Sequence, residues 1–452
     1  MTFAAVAPAA DRPGAPRRSD LAEGRQAIAQ RLYRDSSFGA FDAMAQMGAL
    51  TVAHIESRVR PEHRAKVWLG GSLGRREMLP NSDVDLFVFD DPASEVADVV
   101  TVEGVDRFER GCMPIASVRR LVAQGSIDAN PLIDGRALAE GEPGDAVAAA
   151  IRATNTTQRQ YANLISEYFY YRYFDFPWKT TDWGPNLKYS SGSSRTTLLL
   201  NFVHRIATHQ FPAWRATTPE LAAALAYLEQ DRGRRTPRRA IDLILVAKNA
   251  AITSWYRTGD PSVRHVSRRT LGLIFEVARD RWDQLGLTSP ARFADAYTTA
   301  RAALEACVEQ SVNACLLLHP RVAELRAITA MDPAELRDSC LHSAIGSPTD
   351  ELFLVSFTAW RLSTTTSSPQ DMAQLAATLA TRPLSRVWGG VMAVACSPAT
   401  DDTTMEFLTE WLADAEEGAY LTKLVSRNPS AGPATRAGAL HSYQAKENVV
   451  VT

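Results

Sequence analysis

The sequence lacks long apolar runs. No stretch approaches the roughly 18 uninterrupted apolar residues of a membrane span, which predicts a soluble chain. Cysteine is scarce: Cys112, Cys307, Cys315, Cys340 and Cys396 are scattered and form no CxxC pair. That argues against a disulfide framework or a zinc site and favours a reducing cytoplasm. The eight histidines include no HExxH and no His-Asp dipeptide, and no Walker A loop occurs, so three common signatures of metal and nucleotide chemistry are excluded. Neither sign of charge dominates. Forty-nine Lys plus Arg face 51 Asp plus Glu, a net charge of −2, which disfavours a surface built to grip nucleic acid. The N-terminal segment places its charges after its apolar part and has no h-region, so it reads as a tail rather than a signal peptide.

What is present suits a globular protein. The chain has 452 residues, 46% of them hydrophobic and 22% charged, enough for two or three domains with buried cores. Residues 1–19, rich in Ala, Pro and Arg, read as a disordered tail. Residues 20–62 are helical, with Leu21, Ile28, Leu32, Phe41, Met44, Met47 and Leu50 recurring near helical spacing. Residues 63–144 change period and read as a small α/β unit: a strand at Lys66–Leu69, a second at Val84–Phe89, a third within Val99–Arg110, and a helix at Ile115–Ala123 opened by Pro114. From 145 to 330 the pattern is helical, with helices expected at Ala240–Arg257, Arg268–Leu285 and Pro290–Leu318. A further helical region covers 331–425, and 426–452 returns to tail-like composition. The expected class is α+β: a small mixed sheet with flanking helices, followed by a large all-α region.

The segment Leu69–Phe89, LGGSLGRREMLPNSDVDLFVF, carries the chemistry. Asp83 and Asp85 sit at i and i+2 at the start of a strand, so both carboxylates project from one face. Two neighbouring anions cost free energy unless a cation neutralises them, and Mg²⁺ takes such oxygen ligands. About a dozen residues upstream, Gly70-Gly71-Ser72 ends the first strand, where glycine lets backbone N–H groups approach an anion closely. A phosphate cradle followed by a metal-binding Asp-x-Asp points to a magnesium–triphosphate site.

This segment resembles the DNA polymerase β nucleotidyltransferase superfamily, whose pattern is a Gly-Ser or Gly-Gly turn followed by a strand bearing Asp-x-Asp. Within it the likeness is greatest to the bacterial PII uridylyltransferases and related nucleotidyltransferases, on Gly71, Gly74, Arg75, Glu77, Pro80, Ser82, Asp83 and Asp85. A second stretch, Gly184-Pro185-Asn186-Leu187-Lys188 with Gly192 and Arg195, is similar to that family's Pro-Asn-[Ile/Leu]-Lys…Gly…Arg segment. A third, weaker one is Ala247-Lys248-Asn249-Ala250 with Asp260 and His265. The His-Asp hydrolase and ACT sensing domains of the uridylyltransferases have no counterpart here, which removes support for nucleotide removal, for glutamine sensing and for PII as acceptor.

The resemblance makes 63–144 a nucleotidyltransferase domain and implies an enzyme of uridylyl-, adenylyl- or cytidylyltransferase type. It would move an NMP from an NTP to a hydroxyl of a protein or small-molecule acceptor, with two Mg²⁺ ions (or Mn²⁺) held by Asp83, Asp85 and a third carboxylate. Asp106 is preferred for that place over Glu109 because its shorter side chain holds charge more closely. Gly71 and Ser72 are expected against the phosphates. Arg75 is expected to pair with phosphate oxygens or to sit in a solvated turn. Lys188 and Arg195 would close over the triphosphate or fix the nucleobase loop, or else tether domains. The aromatic run Tyr168–Phe174 reads as core. A nucleic-acid acceptor is disfavoured by the balanced charge, and no membrane partner is expected. The rival reading is a non-catalytic nucleotide-binding regulator that keeps the transferase fold.

Overall fold

The structure is a computed structural model. It describes residues 18–89, 112–124, 130–154, 238–316, 368–382 and 399–414, with isolated positions at 164, 187–188, 192, 199–200, 335, 390–391, 394–395 and 397. The chain divides into two compact units, one of residues 2–155 and 192–307, the other of 156–191 and 308–452. It is an α+β protein, mostly helical, with a single small sheet among the described residues.

Two helices precede the sheet, α1 (Arg18–Arg34) and α2 (Ala40–Arg58). They pack on each other through the periodic apolar positions. Leu21, Ile28 and Leu32 are buried from α1, and Ala43, Met44, Met47 and Ile55 from α2. Phe41 and Leu50, also expected in this stripe, are half-buried. The start of α2 is fixed by Asp42, whose carboxylate accepts the Gly39 N–H at 2.9 Å.

A 3₁₀ turn at Pro61–Lys66 leads into β1 (Val67–Leu69), followed by the four-residue helix α3 (Gly71–Gly74) and β2 (Leu86–Phe89). After residues 90–111 come β3 (Cys112–Met113), α4 (Ile115–Gln124), α5 (Asn130–Ile133), β4 (Arg136–Ala137) and α6 (Glu142–Thr154). The sheet order is β3-β2-β1-β4. β1 runs antiparallel to β2, with Trp68 opposite Phe87 and Leu69 opposite Leu86, and antiparallel to β4; β3 is parallel to β2. Trp68, Phe87 and Phe89 form a core with Val118 and Val122 of α4, Leu132 and Ile133 of α5, and Val147 and Ile151 of α6. Trp68 meets Phe89 edge-to-face at 6.4 Å and donates its indole N–H to the Leu132 carbonyl at 3.1 Å. That bond satisfies a buried donor while keeping the ring inside.

The same unit continues with α7 (Arg238–Thr258), a 3₁₀ turn at Pro261–Arg264, α8 (Arg268–Val277), α9 (Arg279–Gln284) and the part of α10 (Pro290–Leu316) up to residue 307. The span expected as one helix over Arg268–Leu285 is two, broken at Ala278 (φ −123°, ψ 32°). Beyond the break, Arg281 and Trp282 are both almost fully buried. The Arg281 guanidinium donates to the Leu32, Asp35 and Phe38 carbonyls and to Asp242, so it ties the α1–α2 corner to α7. In the other unit α11 (Pro369–Ala380) packs on α12 (Asp402–Asp414). The strand expected within Val99–Arg110 and the aromatic run Tyr168–Phe174 lie outside the described residues. Among the described residues no helix is long and apolar enough to cross a membrane.

Candidate active site

The turn after β1 is shaped by its glycines. Gly70 is extended, and its N–H donates to the Asp85 carbonyl at 2.8 Å, which carries the β1–β2 pairing one step past Leu86. Gly71 then adopts a left-handed φ of +51°, costing most side chains about 1 kcal/mol. Space forbids a side chain there as well. A Cβ on Gly71 would lie 1.8 Å from Asp85 Oδ2 and 2.8 Å from its Cγ. The Asp85 carboxylate therefore rests directly on the glycine turn.

From Gly71 the chain enters α3. The first N–H groups of any helical turn have no intrahelical acceptor, so those of Gly71, Ser72 and Leu73 are donors available at this corner. Ser72 Oγ is buried and has no hydrogen-bond partner among the described residues, an uncommon state for a native hydroxyl. Asp83 and Asp85 are half-buried, while Val84 and Leu86 between and after them are buried. The two acids thus share one side of an extended run, as the alternation of a strand requires. Regular pairing begins only at Leu86, two residues later than the sequence pattern suggests, because Gly70 is the last β1 residue able to continue the ladder before α3 turns away.

The run into Asp83 is held from outside the sheet. Arg25 of α1 donates Nε–H to the Pro80 carbonyl at 2.9 Å and Nη2–H to the Ser82 carbonyl at 2.8 Å. Its third nitrogen, Nη1, is buried without a hydrogen-bond partner among the described residues. Burial pulls the Arg25 guanidinium below its ordinary value, an effect opposed by Tyr256 and by the Asp83 carboxylate. Asn81, two residues before Asp83, donates its N–H to Asn249 Oδ1 at 3.1 Å and its Nδ2–H to the Asn249 carbonyl at 2.9 Å and to Thr253 Oγ1 at 2.7 Å.

Arg75 is placed differently from the two readings open in the sequence. Its guanidinium is buried, with Nε donating to Glu77 at 2.8 Å and Nη1 to Asp134 at 3.1 Å. The fork that was expected to meet phosphate or solvent joins the end of α3 to the segment between α5 and β4. Asp134 lies 59 residues downstream, so no local spacing announces the pair. Lys188 is half-buried and belongs to the other compact unit from Asp83 and Asp85. Asp106, Glu109 and Arg195 lie outside the described residues. Gly192, of the same expected stretch as Lys188, has φ +68°, and a Cβ there would meet the Arg301 carbonyl at 2.6 Å. Arg25, Asn81 and Thr253 carry no motif signal, whereas Asn249 stood in the third and weakest stretch of the resemblance.

The donor set can be tested against a magnesium–nucleotide site. Two carboxylates on one side of the run offer hard oxygen ligands, and the Ser72 hydroxyl, next in the chain to Gly71 and without a partner among the described residues, suits a phosphate oxygen. Among the described residues no group of three or more His, Cys, Asp or Glu is assembled, so a full ligand set would need a residue beyond them. The residues present fit the group as far as they go.

Replacing Gly71 by Ala is expected to leave the fold intact and to lower any activity of this site by roughly 100-fold, the scale of an ångström misplacement of a reacting group. The added methyl must push either the Asp85 carboxylate or the turn aside. Circular dichroism together with a turnover assay checks this, and near-normal turnover would mean that the close approach of Asp85 to the turn has no function.

No curated protein matches the chain. Residues 53–122, from the middle of α2 through the glycine turn, both acids and most of α4, match the family described as nucleotidyltransferase domain, which supports a transferase of the polymerase β-like superfamily.

Proposed function

We propose that this chain is a Mg²⁺-dependent nucleotidyltransferase that moves an NMP from an NTP to a hydroxyl oxygen of a protein or small-molecule acceptor, releasing pyrophosphate. The observation that carries this reading is the contact between the Asp85 carboxylate and Gly71, followed in the chain by Ser72, whose buried hydroxyl has no hydrogen-bond partner among the described residues. It places a candidate metal ligand and a candidate phosphate cradle against each other. The match of this stretch to a nucleotidyltransferase domain supports the same chemistry.

In this reading Asp83 and Asp85 hold the metal, with Asp106 as the third carboxylate. Bound there, Mg²⁺ would supply Lewis-acid charge to the triphosphate. The chain does the positioning. N–H groups of the Gly71–Leu73 turn and the Ser72 O–H donate to phosphate oxygens and hold the α-phosphorus in line with the acceptor. Asp106 takes the acceptor's proton as its oxygen bonds to the α-phosphorus, and the bond from that phosphorus to the bridging oxygen of the leaving pyrophosphate breaks. Arg195, as the resemblance implies, contributes positive charge toward the nucleotide. Arg75, engaged with Glu77 and Asp134, is read as a residue that holds the turn. The resemblance to PII uridylyltransferases suggests a protein acceptor, and a small metabolite is the alternative. The low cysteine content supports a cytoplasmic setting.

A non-catalytic nucleotide-binding regulator is the second reading, favoured by the absence of a three-carboxylate cluster among the described residues. One experiment separates the two. The purified chain is incubated with each α-labelled NTP and Mg²⁺, with and without cell extract. Label on an acceptor together with released pyrophosphate, lost in the Asp83→Asn/Asp85→Asn double variant, supports the transferase. Saturable binding without turnover supports the regulator. Nucleoside diphosphate as the product would indicate a kinase and contradict both.

A further inference from the structure

Asn249 is the most deeply buried polar group near the acids, at 1% exposure, and every hydrogen-bonding atom of its side chain is engaged. Its Oδ1 accepts the Asn81 N–H at 3.1 Å, and its Nδ2 donates to the Tyr33 hydroxyl at 2.6 Å. Tyr33 in turn meets Thr253 Oγ1 at 2.8 Å. Burial pushes the Tyr33 phenol up to about 12; with the Thr253 hydroxyl donating to the Asn249 carbonyl, the Tyr33 O–H is the donor to Thr253. Thr253 Oγ1 also accepts from Asn81 Nδ2 and donates back to the Asn249 carbonyl at 3.2 Å. The donors and acceptors close on one another with a single direction, which fixes the orientation of the Asn249 amide. Three segments far apart in sequence meet here: α1 through Tyr33, α7 through Asn249 and Thr253, and the run into the acids through Asn81.

The network grips the chain at a consequential place. Asn81 is two residues before Asp83, and its backbone N–H is itself part of the network. On either side of Asn81, the Pro80 and Ser82 carbonyls are held by Arg25. Ser82 adds a local lock, with its Oγ accepting the Leu79 N–H and its own N–H donating to the Leu79 carbonyl. The run into the acids is thus anchored by helices outside the sheet, in addition to the β1–β2 pairing that ties Asp85 to the glycine turn. A fully satisfied buried network of this kind constrains geometry more than it adds stability.

We infer that Asn249 of α7 is a positioning residue for the Asp83–Asp85 metal site, acting through Asn81, whose backbone N–H and side-chain amide both donate to it. This inference rests on the proposed function, because it takes the two acids to be metal ligands. Groups that orient metal ligands change metal affinity about 10–100-fold when removed, without touching the ion.

The test measures Mn²⁺ binding to the purified full-length chain by electron paramagnetic resonance, which needs neither acceptor nor turnover. Asn249→Ala and Asn81→Ala are each expected to weaken Mn²⁺ binding about tenfold. Phe293→Leu serves as the stability control. It alters a fully buried ring packed against Trp282 at 4.8 Å and Tyr297 at 6.2 Å, in a different part of the unit. It should lower the melting temperature while binding Mn²⁺ as the wild type does. Asn81→Ala decides the matter if Asn249→Ala does not fold, since Asn81 is half-exposed and the variant removes both side-chain bonds to α7 while its backbone N–H can still donate to Asn249. Wild-type affinity in both asparagine variants, with Asp85→Asn impaired, overturns the positioning role alone. Equal weakening in Phe293→Leu also overturns it, because general loosening would then explain the effect. Equal Mn²⁺ affinity in wild type and Asp85→Asn overturns the proposed metal site and this inference with it.

Discussion

Asp85→Asn is expected to lower nucleotidyl transfer on the order of 10³-fold, the scale seen when charge stabilisation at a reacting centre is removed. The substitution is nearly isosteric, and Asp85 is half-buried at the end of a strand whose backbone bond to Gly70 it retains. Without metal, the melting temperature should stay level or rise slightly, because one of two neighbouring like charges disappears. With Mg²⁺ and NTP the wild type should gain stability, by about 2.7 kcal/mol at a ligand concentration 100 times its dissociation constant, and the variant should not. Thermal melts with and without Mg²⁺–NTP, run beside the turnover assay, give both readings. A variant that still gains the full ligand-dependent stabilisation would show that Asp85 is not a ligand.

The second large effect concerns the scaffold. Arg281→Met is expected to destabilise the unit of residues 2–155 and 192–307 by about 3–5 kcal/mol, the usual cost of removing one partner of a buried charged pair. Arg281 is 1% exposed, and its guanidinium donates to three carbonyls at the α1–α2 corner and to Asp242 at 2.5 Å. Met fills much of the volume but donates nothing, so those carbonyls and the carboxylate lose a charged donor. Asp242 also accepts the Ala40 N–H at the start of α2, so its own orientation depends on the pair. Urea unfolding measures the loss. Asp242→Asn should cost less in the Arg281→Met background than in the wild type, the mark of a direct coupling. A loss below about 1 kcal/mol would mean that water replaces the guanidinium without penalty. The effect reaches the site because α1 carries both Arg25 and Tyr33, which hold the run into the acids.

The local parts of this architecture are legible in sequence, and the long-range parts are not. The first strand, the glycine turn and the helix after Pro114 follow from period and turn chemistry within a few residues, and β1 and α4 lie where that pattern puts them. The Asp-x-Asp alternation needs only two consecutive pleats to place both acids on one side. Ala278 shows the limit. It is the strongest helix former, yet the helix breaks there, because Arg281 and Trp282 are drawn into contacts with segments some 240 residues earlier and with the preceding helix. Arg75 shows it again: its partner Asp134 lies 59 residues downstream, so nothing in the sequence around the glycine turn announces the pair. Asn249 appeared in the sequence only as part of a faint likeness, since its partner Asn81 is 168 residues away.

The central claim is that the two acids and the glycine turn together hold a metal–nucleotide complex. Crystals grown with Mn²⁺ and an NTP analogue carrying a non-hydrolysable α,β bridge test it most directly. The account predicts an anomalous manganese peak bound by both Asp83 and Asp85, with the triphosphate against Gly71 and a phosphate oxygen on Ser72 Oγ. A nucleotide seated elsewhere, or manganese bound away from these two carboxylates, would contradict it.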